Sequence, residues 1–123
     1  MDWAATVEGV PFLRALPPAD AERLRPYATE RHYWRGEPIW ACGQPSSEFT
    51  FVARGRVKLQ KPREAGGQVI VGICGPGSLL CASAVCAVAP HCCSAVALED
   101  GVSVVALPRR DLAALLELST AAS

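Results

Sequence analysis

The sequence predicts a mainly β domain, either a β-barrel or a jelly-roll-like sandwich, with helices flanking its strands. Short apolar runs follow one another between residues 31 and 107, and glycine-containing turns separate them. Evenly spaced short strands with glycine at their corners are typical of rolled β folds. The length of 123 residues is that of one domain with a single core of ordinary size.

The flanking segments are predicted as helices over residues 16–30 and 108–120. A proline pair suits the start of the first helix, and Pro26 limits it to a short or kinked element. Pro108 opens the second helix. Its leucines form an approximate amphipathic stripe, at Leu112, Leu115, Leu116 and Leu118.

Two patterns inside the β region give specific expectations. The run "EFTFVA" alternates with period two, which places Phe49, Phe51 and Ala53 on one face of a strand. The tripeptide Glu-Asp-Gly at 99–101 is a strong turn signal between two further strands.

Charge and hydropathy exclude several classes of protein. Twelve basic and twelve acidic residues cancel, which argues against a strong nucleic-acid-binding surface on this chain. The N-terminal residues lack the basic and apolar regions of a signal peptide, and no apolar run approaches the roughly 20 residues that span a bilayer. We therefore expect a cytoplasmic protein with no membrane partner, whose thiols are kept reduced.

Four quoted stretches, in this order and spacing, resemble a known family. They are "VPFLRALPPADAERLRPYA", "ACGQPSSEFTFVARGRVKLQK", "VGICGPGSLL" and "ALEDGVSVVALPRRDLAALL". Together they resemble the cyclic nucleotide-binding domain, and more narrowly the sensor domain of the Crp/Fnr family of bacterial transcription regulators. The resemblance implies one sensor domain over residues 1–123, folded as a double-stranded β-helix. Its roll would occupy residues 31–107 and its phosphate-binding cassette residues 77–93.

The cassette departs from the family pattern at the residues that hold the ligand. In nucleotide-binding members, a Gly-Glu pair holds the ribose, and an Arg-Ser or Arg-Ala pair holds the cyclic phosphate. Aligned with this sequence, the first pair falls on Cys81 and Ala82, and the second on Cys92 and Cys93. Ala82 cannot accept a hydrogen bond, and a neutral thiol cannot replace a guanidinium facing a phosphate. We therefore do not expect cyclic AMP to bind in the family's usual way.

The stretch "CASAVCAVAPHCC" at 81–93 holds four of the six cysteines and one of the two histidines. The predicted effector pocket consists of Leu80, Cys81, Ala82, Cys92 and Cys93. The candidate metal or redox residues are Cys81, Cys86, His91, Cys92 and Cys93. Thiolates and imidazole are ligands of zinc, iron–sulfur clusters and haem, which makes these three the candidate cofactors. His91 and Cys92 are neighbours, so on a strand they would lie on opposite faces.

Other interpretations of these cysteines stay open beside metal binding. Cys81 would be favoured as a thiolate in the first turn of a helix, and a disulfide with Cys92 would then reshape the pocket. A small apolar effector could occupy the space left by the missing polar anchors. Buried cysteine also packs as a small apolar residue, with no further role.

The residues and the resemblance together predict a sensor rather than an enzyme. No arrangement of cysteine, histidine and carboxylate suggests catalysis. We expect an effector-sensing regulatory domain whose cysteines respond to redox state, a metal, or a gas bound to haem. The alternative is a cyclic nucleotide-binding domain with a non-standard phosphate site. The resemblance further implies a homodimer formed through the C-terminal helix, and DNA binding through a domain absent from this chain.

Overall fold

A computed structural model describes residues 1–80, 89–112 and 114 of the chain. Its N-terminal part is helical, with α1 at Trp3–Gly9, α2 at Pro11–Arg14, α3 at Pro18–Leu24 and a 3₁₀ turn at Arg25–Tyr27. The strands are β1 Thr29–Tyr33, β2 Pro38–Trp40, β3 Glu48–Arg54, β4 Val57–Pro62, β5 Gln68–Cys74, β6 Leu79–Leu80, β7 Ser94–Ala97 and β8 Val102–Pro108.

The described strands form two antiparallel sheets of four strands each. The first sheet has the order β1-β8-β3-β6, and the second has the order β2-β7-β4-β5. Consecutive strands therefore alternate between the sheets at several corners, as in a rolled double sheet. The predicted fold class, a mainly β roll with flanking helices, is confirmed.

Two apolar cores lie on the two faces of the first sheet. The helix-side core packs the N-terminal helices on this sheet and contains Trp3, Leu13, Phe51 and Leu107. The inter-sheet core fills the space between the sheets and consists of Trp40, Val52, Val57, Leu80, Ala95, Ala97, Val102 and Val104. Because both faces of the first sheet are covered, its central strand β8 is buried over almost its full length.

The N-terminal helix is shorter than the predicted span of 16–30. Helix α3 ends at Leu24, and a 3₁₀ turn takes over around Pro26, which has no N–H to continue an α-helix. The chain is already a strand at Thr29, where it pairs with Ala106 of β8. Helices α1 and α2 were not predicted, because each is too short to show a helical period.

The expected alternation in β3 is interrupted at Ala53. Phe49 and Phe51 are buried on the helix side as predicted, but Ala53 is exposed. The register with β8 shifts between Val52 and Arg54, which marks a bulge at Ala53. A bulge adds one residue to a strand and resets which side chains face the core, so the burial seen at Phe49 and Phe51 does not continue to Ala53.

The predicted turn at 99–101 is present, and Gly101 has a φ of +77°. It does not close a hairpin, however, because β7 pairs with β2 and β4 in the second sheet. Strand β8 pairs with β1 and β3 in the first sheet. The turn is therefore a corner at which the chain passes from one sheet to the other.

Gly77 fills a crowded corner just before β6. Its φ is +90°, and a Cβ at this position would lie 2.8 Å from the carbonyl oxygen of Gly9. Its N–H donates to the carbonyl of Val52 over 2.7 Å. Only glycine can adopt this left-handed backbone conformation and also leave room for the helical layer, because it has no Cβ.

The C-terminal helix begins one residue later than predicted. Pro108 is the last residue of β8, and the helical residues begin at 109. Leu112 is fully buried in the helix-side core, while the rest of the predicted stripe lies outside the described residues. Among the helices that the structure describes, none is long and apolar enough to cross a membrane.

Candidate effector site

The candidate site is built where the loop after β2 meets the segment before β7. The backbone N–H of Gly43 donates to the carbonyl of His91 over 2.8 Å, and the N–H of His91 donates to the carbonyl of Gln44 over 2.9 Å. The Ser46 hydroxyl donates to the carbonyl of Ala89. These contacts fix the end of the predicted cassette against the end of β2.

An aromatic stack anchors this junction. The rings of Trp40 and His91 are stacked, with centroids 3.9 Å apart and planes inclined by 9°. The Trp40 indole N–H donates to the carbonyl of Cys93 over 2.8 Å. His91 is only 5% exposed, and its Nδ1 is buried with no hydrogen-bond partner among the described residues. Burial lowers the pKa of His91, which favours the neutral imidazole.

The two cysteines at the position of the family's Arg-Ser pair have different surroundings. Cys92 is exposed, whereas Cys93 is 3% exposed. The pattern from His91 to Cys93 is therefore buried, exposed, buried. The thiol at position 92 is accessible to a reagent from solvent, and the one at position 93 is not.

Cys42 is a site residue that the sequence did not identify. It is exposed, and its Sγ lies 3.5 Å from the carbonyl oxygen of Cys92. Its backbone N–H donates to the hydroxyl of Ser94 over 3.1 Å. No local sequence signal could have found this proximity, because Cys42 and Cys92 are separated by 50 positions along the chain.

The remaining predicted site residues divide into two groups. Leu80 is fully buried in the inter-sheet core, where it packs as an apolar residue. Cys81, Ala82 and Cys86 lie outside the described residues. Within the described part of the chain, no group of three or more His, Cys, Asp or Glu side chains is arranged to hold a metal ion. His91, Cys92 and Cys93 thus do not form a metal site with other described residues.

A cavity of about 330 Å³ opens beside the Trp40–His91 stack. Its lining includes Thr50 and the ion pair of Arg31 and Glu48. Arg31 donates to both carboxylate oxygens of Glu48, over 2.8 and 3.1 Å. The hydrogen bond to Glu48 raises the pKa of Arg31, so the guanidinium stays charged and engaged. The cavity therefore offers aromatic and polar walls with a cation that is already paired.

The segment that would hold a phosphate in this architecture is uncharged. Residues 65–98 contain no Asp, Glu, Lys or Arg, although the chain as a whole has 24 such residues, 12 of each sign. A charged partner for an anion in this region would have to come from another part of the fold.

Comparison with known proteins agrees with this architecture. A family model described as the cyclic nucleotide-binding domain matches residues 30–119, well over half of the chain. A cyclic AMP receptor protein from Thermus thermophilus is 30% identical over 110 residues, which are 89% of this chain and 50% of the relative. This chain thus spans about half the length of that relative.

Two solved structures have the same fold at comparable identity. The Thermus thermophilus catabolite activator protein superposes with a TM-score of 0.76 at 29% identity, covering 89% of this chain and 51% of the other. The N-terminal domain of a transcriptional regulator from Streptomyces coelicolor superposes with a TM-score of 0.77 at 25% identity, covering 92% and 78%. The extent of the family match and the shared roll lead to one conclusion: the chain belongs to the cyclic nucleotide-binding domain family and is related to its Crp-type regulators.

Proposed function

We propose that this chain is the effector-sensing domain of a Crp/Fnr-like transcription regulator that responds to oxidation of its cysteines rather than to a cyclic nucleotide. The observation that carries this proposal is the exposed thiol of Cys92 within a segment that has no charged side chain. In the family resemblance, this position belongs to the arginine that holds the cyclic phosphate. Regulation through DNA, a homodimer and a cytoplasmic location are parts of the same proposal.

The physical argument against ordinary nucleotide binding rests on the phosphate. A hydrogen bond to a charged group contributes about 1.5–3 kcal/mol. Its loss weakens binding about ten- to hundredfold. Cys92 cannot supply that contact, and the nearby Arg31 is already held by Glu48. An anion that binds Arg31 would therefore have to compete with Glu48.

Thiol oxidation is supported better than metal or haem binding. The described residues near Cys92 do not form a metal-binding group, so a metal would need ligands from outside the described residues. A redox response needs reactive thiols that solvent can reach, and both Cys42 and Cys92 are exposed. Zinc, an iron–sulfur cluster and haem are therefore the alternatives to thiol oxidation. Detection of any of them would contradict the proposal.

The response would shift the populations of conformations that differ in how the C-terminal helix packs. The helix starts directly after β8. Leu112 packs in the helix-side core, which lies against the first sheet of the roll. A change in the roll that favours one packing of this helix would alter the geometry of whatever follows it.

The alternative function, cyclic nucleotide binding through a non-standard phosphate site, has its own support. The family match and the name of the Thermus relative point to cyclic AMP in related proteins. The cavity beside His91 could admit a nucleotide if Arg31 exchanged Glu48 for a phosphate.

Calorimetric titration separates the two functions. We expect no binding of cyclic AMP or cyclic GMP to the wild-type protein at micromolar concentration. We expect Cys92→Arg to bind more tightly than Cys92→Ser, by about ten- to hundredfold, because it restores the phosphate anchor. Micromolar binding by the wild-type protein would overturn the proposal in favour of the alternative.

An absorption spectrum and metal analysis of anaerobically purified protein complete the test. A spectrum without a Soret band or an iron–sulfur band, together with no stoichiometric zinc, supports sensing by thiols alone. Any one of these three signals would contradict the proposal and assign the sensing to the corresponding cofactor.

A further inference from the structure

Two exposed cysteines, Cys42 and Cys92, are neighbours where the loop after β2 meets the segment before β7. Cys42 Sγ is 3.5 Å from the carbonyl oxygen of Cys92, and both cysteines are in the reduced state. Neither belongs to a core. The pair therefore consists of two exposed cysteines in contact through the side chain of one and the main chain of the other.

The backbone holds the loop that carries Cys42 against the segment that carries Cys92. The N–H of Gly43 donates to the carbonyl of His91, the N–H of His91 donates to the carbonyl of Gln44, and the N–H of Cys42 donates to the hydroxyl of Ser94. A disulfide requires a Cβ separation of about 3.5–4.5 Å. The contact between Cys42 Sγ and the main chain of Cys92 makes the two residues neighbours, so a disulfide between them requires a movement of side chains and loop.

We propose that Cys42 and Cys92 form an intramolecular disulfide when the domain meets a hydroperoxide. One thiolate attacks the peroxide oxygen, the O–O bond breaks, and an alcohol (water, for hydrogen peroxide) leaves with the formation of a sulfenic acid. The second thiolate then attacks the sulfenic sulfur, the S–S bond forms, and water leaves. Two thiols are oxidised and one peroxide is reduced, so no further reactant is needed.

The other described cysteines are less suited to this reaction. Cys93 is buried, and Cys74 is half-buried at the end of β5. Burial raises the pKa of Cys74, which reduces its thiolate fraction. The surroundings thus select Cys42 and Cys92 among the described thiols.

The bond would join the end of β2 to the residue that precedes Cys93. The carbonyl of Cys93 accepts from the Trp40 indole, which also stacks on His91. Closing the disulfide therefore pulls on the segment that positions this stack. The regulatory meaning of this change rests on the proposed function, whereas formation of the bond does not.

Thiol counting on the reduced full chain tests the proposal. After treatment with one equivalent of hydrogen peroxide, the denatured wild-type protein should lose two of its six thiols and the mass of two hydrogen atoms. Cys42→Ser and Cys92→Ser should each show no such paired loss. The matched control Cys74→Ser should lose two thiols as the wild type does.

Three outcomes would overturn the proposal. The first is a paired loss that persists in Cys42→Ser, which would assign the disulfide to other cysteines. The second is a disulfide-linked dimer on a non-reducing gel at low protein concentration. The third is sulfonic acid at Cys92 with no disulfide. Failure of the proposed function would instead appear in the calorimetric titration or the absorption spectrum, so the two failures are distinguishable.

Discussion

His91 is a titratable group held where its charged form is disfavoured. Its imidazole is 5% exposed, stacks on Trp40, and has a buried Nδ1 to which no residue in the described ranges hydrogen-bonds. The second histidine, His32, is exposed and lies 3.2 Å from Glu30. The chain therefore contains one buried and one exposed histidine. Replacing each of them in turn distinguishes their effects on stability.

We expect stability to fall on acidification, through His91. Burial lowers its pKa below 6.5 in the folded state, so below that pH the unfolded chain binds a proton that the folded chain does not. The stabilisation is thus present above about pH 6.5 and is lost as the pH falls. His91→Phe, which keeps a ring on Trp40, should reduce the loss measured by urea denaturation between about pH 7.5 and about pH 5.5. His32→Gln is the control, and an unchanged pH dependence in His91→Phe would contradict the prediction.

At the scale of elements, the helical layer and the strands meet at Gly77. The corner before β6 touches the C-terminal end of α1, where the carbonyl of Gly9 occupies the space of a missing Cβ. This contact positions α1 against the loop that leads into the predicted cassette. A side chain at Gly77 would displace either the helix or the loop.

Replacement of Gly77 by alanine should therefore cost more than replacement of an uncrowded glycine. Gly36 has a similar φ of +84° but nothing within 4 Å of its Cβ position. Gly36→Ala should cost about 1–2 kcal/mol of unfolding free energy, which is the backbone penalty alone. Gly77→Ala should cost about 1–3 kcal/mol more, because of the clash. Equal urea midpoints for the two variants would show that the corner adapts without strain.

The sequence predicted some features of these elements and not others. Glycine-marked corners and apolar runs were enough to predict a β-barrel or a jelly-roll-like sandwich, because turn chemistry is local, and the family resemblance narrowed this to the β-roll. The bulge at Ala53 was not predictable, since it depends on the register with β8. The proximity of Cys42 and Cys92 was equally hidden, because it arises from pairing between distant loops. The departure of Cys92 from the family pattern, in contrast, was visible from the sequence alone.

At the scale of the whole molecule, one sheet serves both cores. Trp3 lies in the helix-side core and Trp40 in the inter-sheet core, and the first sheet separates them. Neither core can lose its packing without exposing one face of that sheet. We therefore expect the two cores to unfold in one cooperative transition.

The three tryptophans allow this cooperativity to be measured. Trp34→Phe with Trp40→Phe leaves Trp3 as the reporter, and Trp3→Phe with Trp34→Phe leaves Trp40. In each double variant, the fluorescence transition in urea should coincide with the loss of far-UV circular dichroism. Trp34 is 70% exposed, so Trp34→Phe alone is the reference. A fluorescence change that precedes the circular dichroism change in either variant would show that one core opens independently.

Strand β3 makes the two cores immediate neighbours along the chain. Phe51 belongs to the core that contains Leu112, and the next residue, Val52, belongs to the core that contains Trp40. Along the chain, one peptide unit between Phe51 and Val52 thus separates the inter-sheet core from the core that packs the start of the C-terminal helix. A displacement of β3 by a fraction of an ångström would change the packing of both side chains at once, so a signal could cross this domain without a hinge, a lid or a long-range rearrangement.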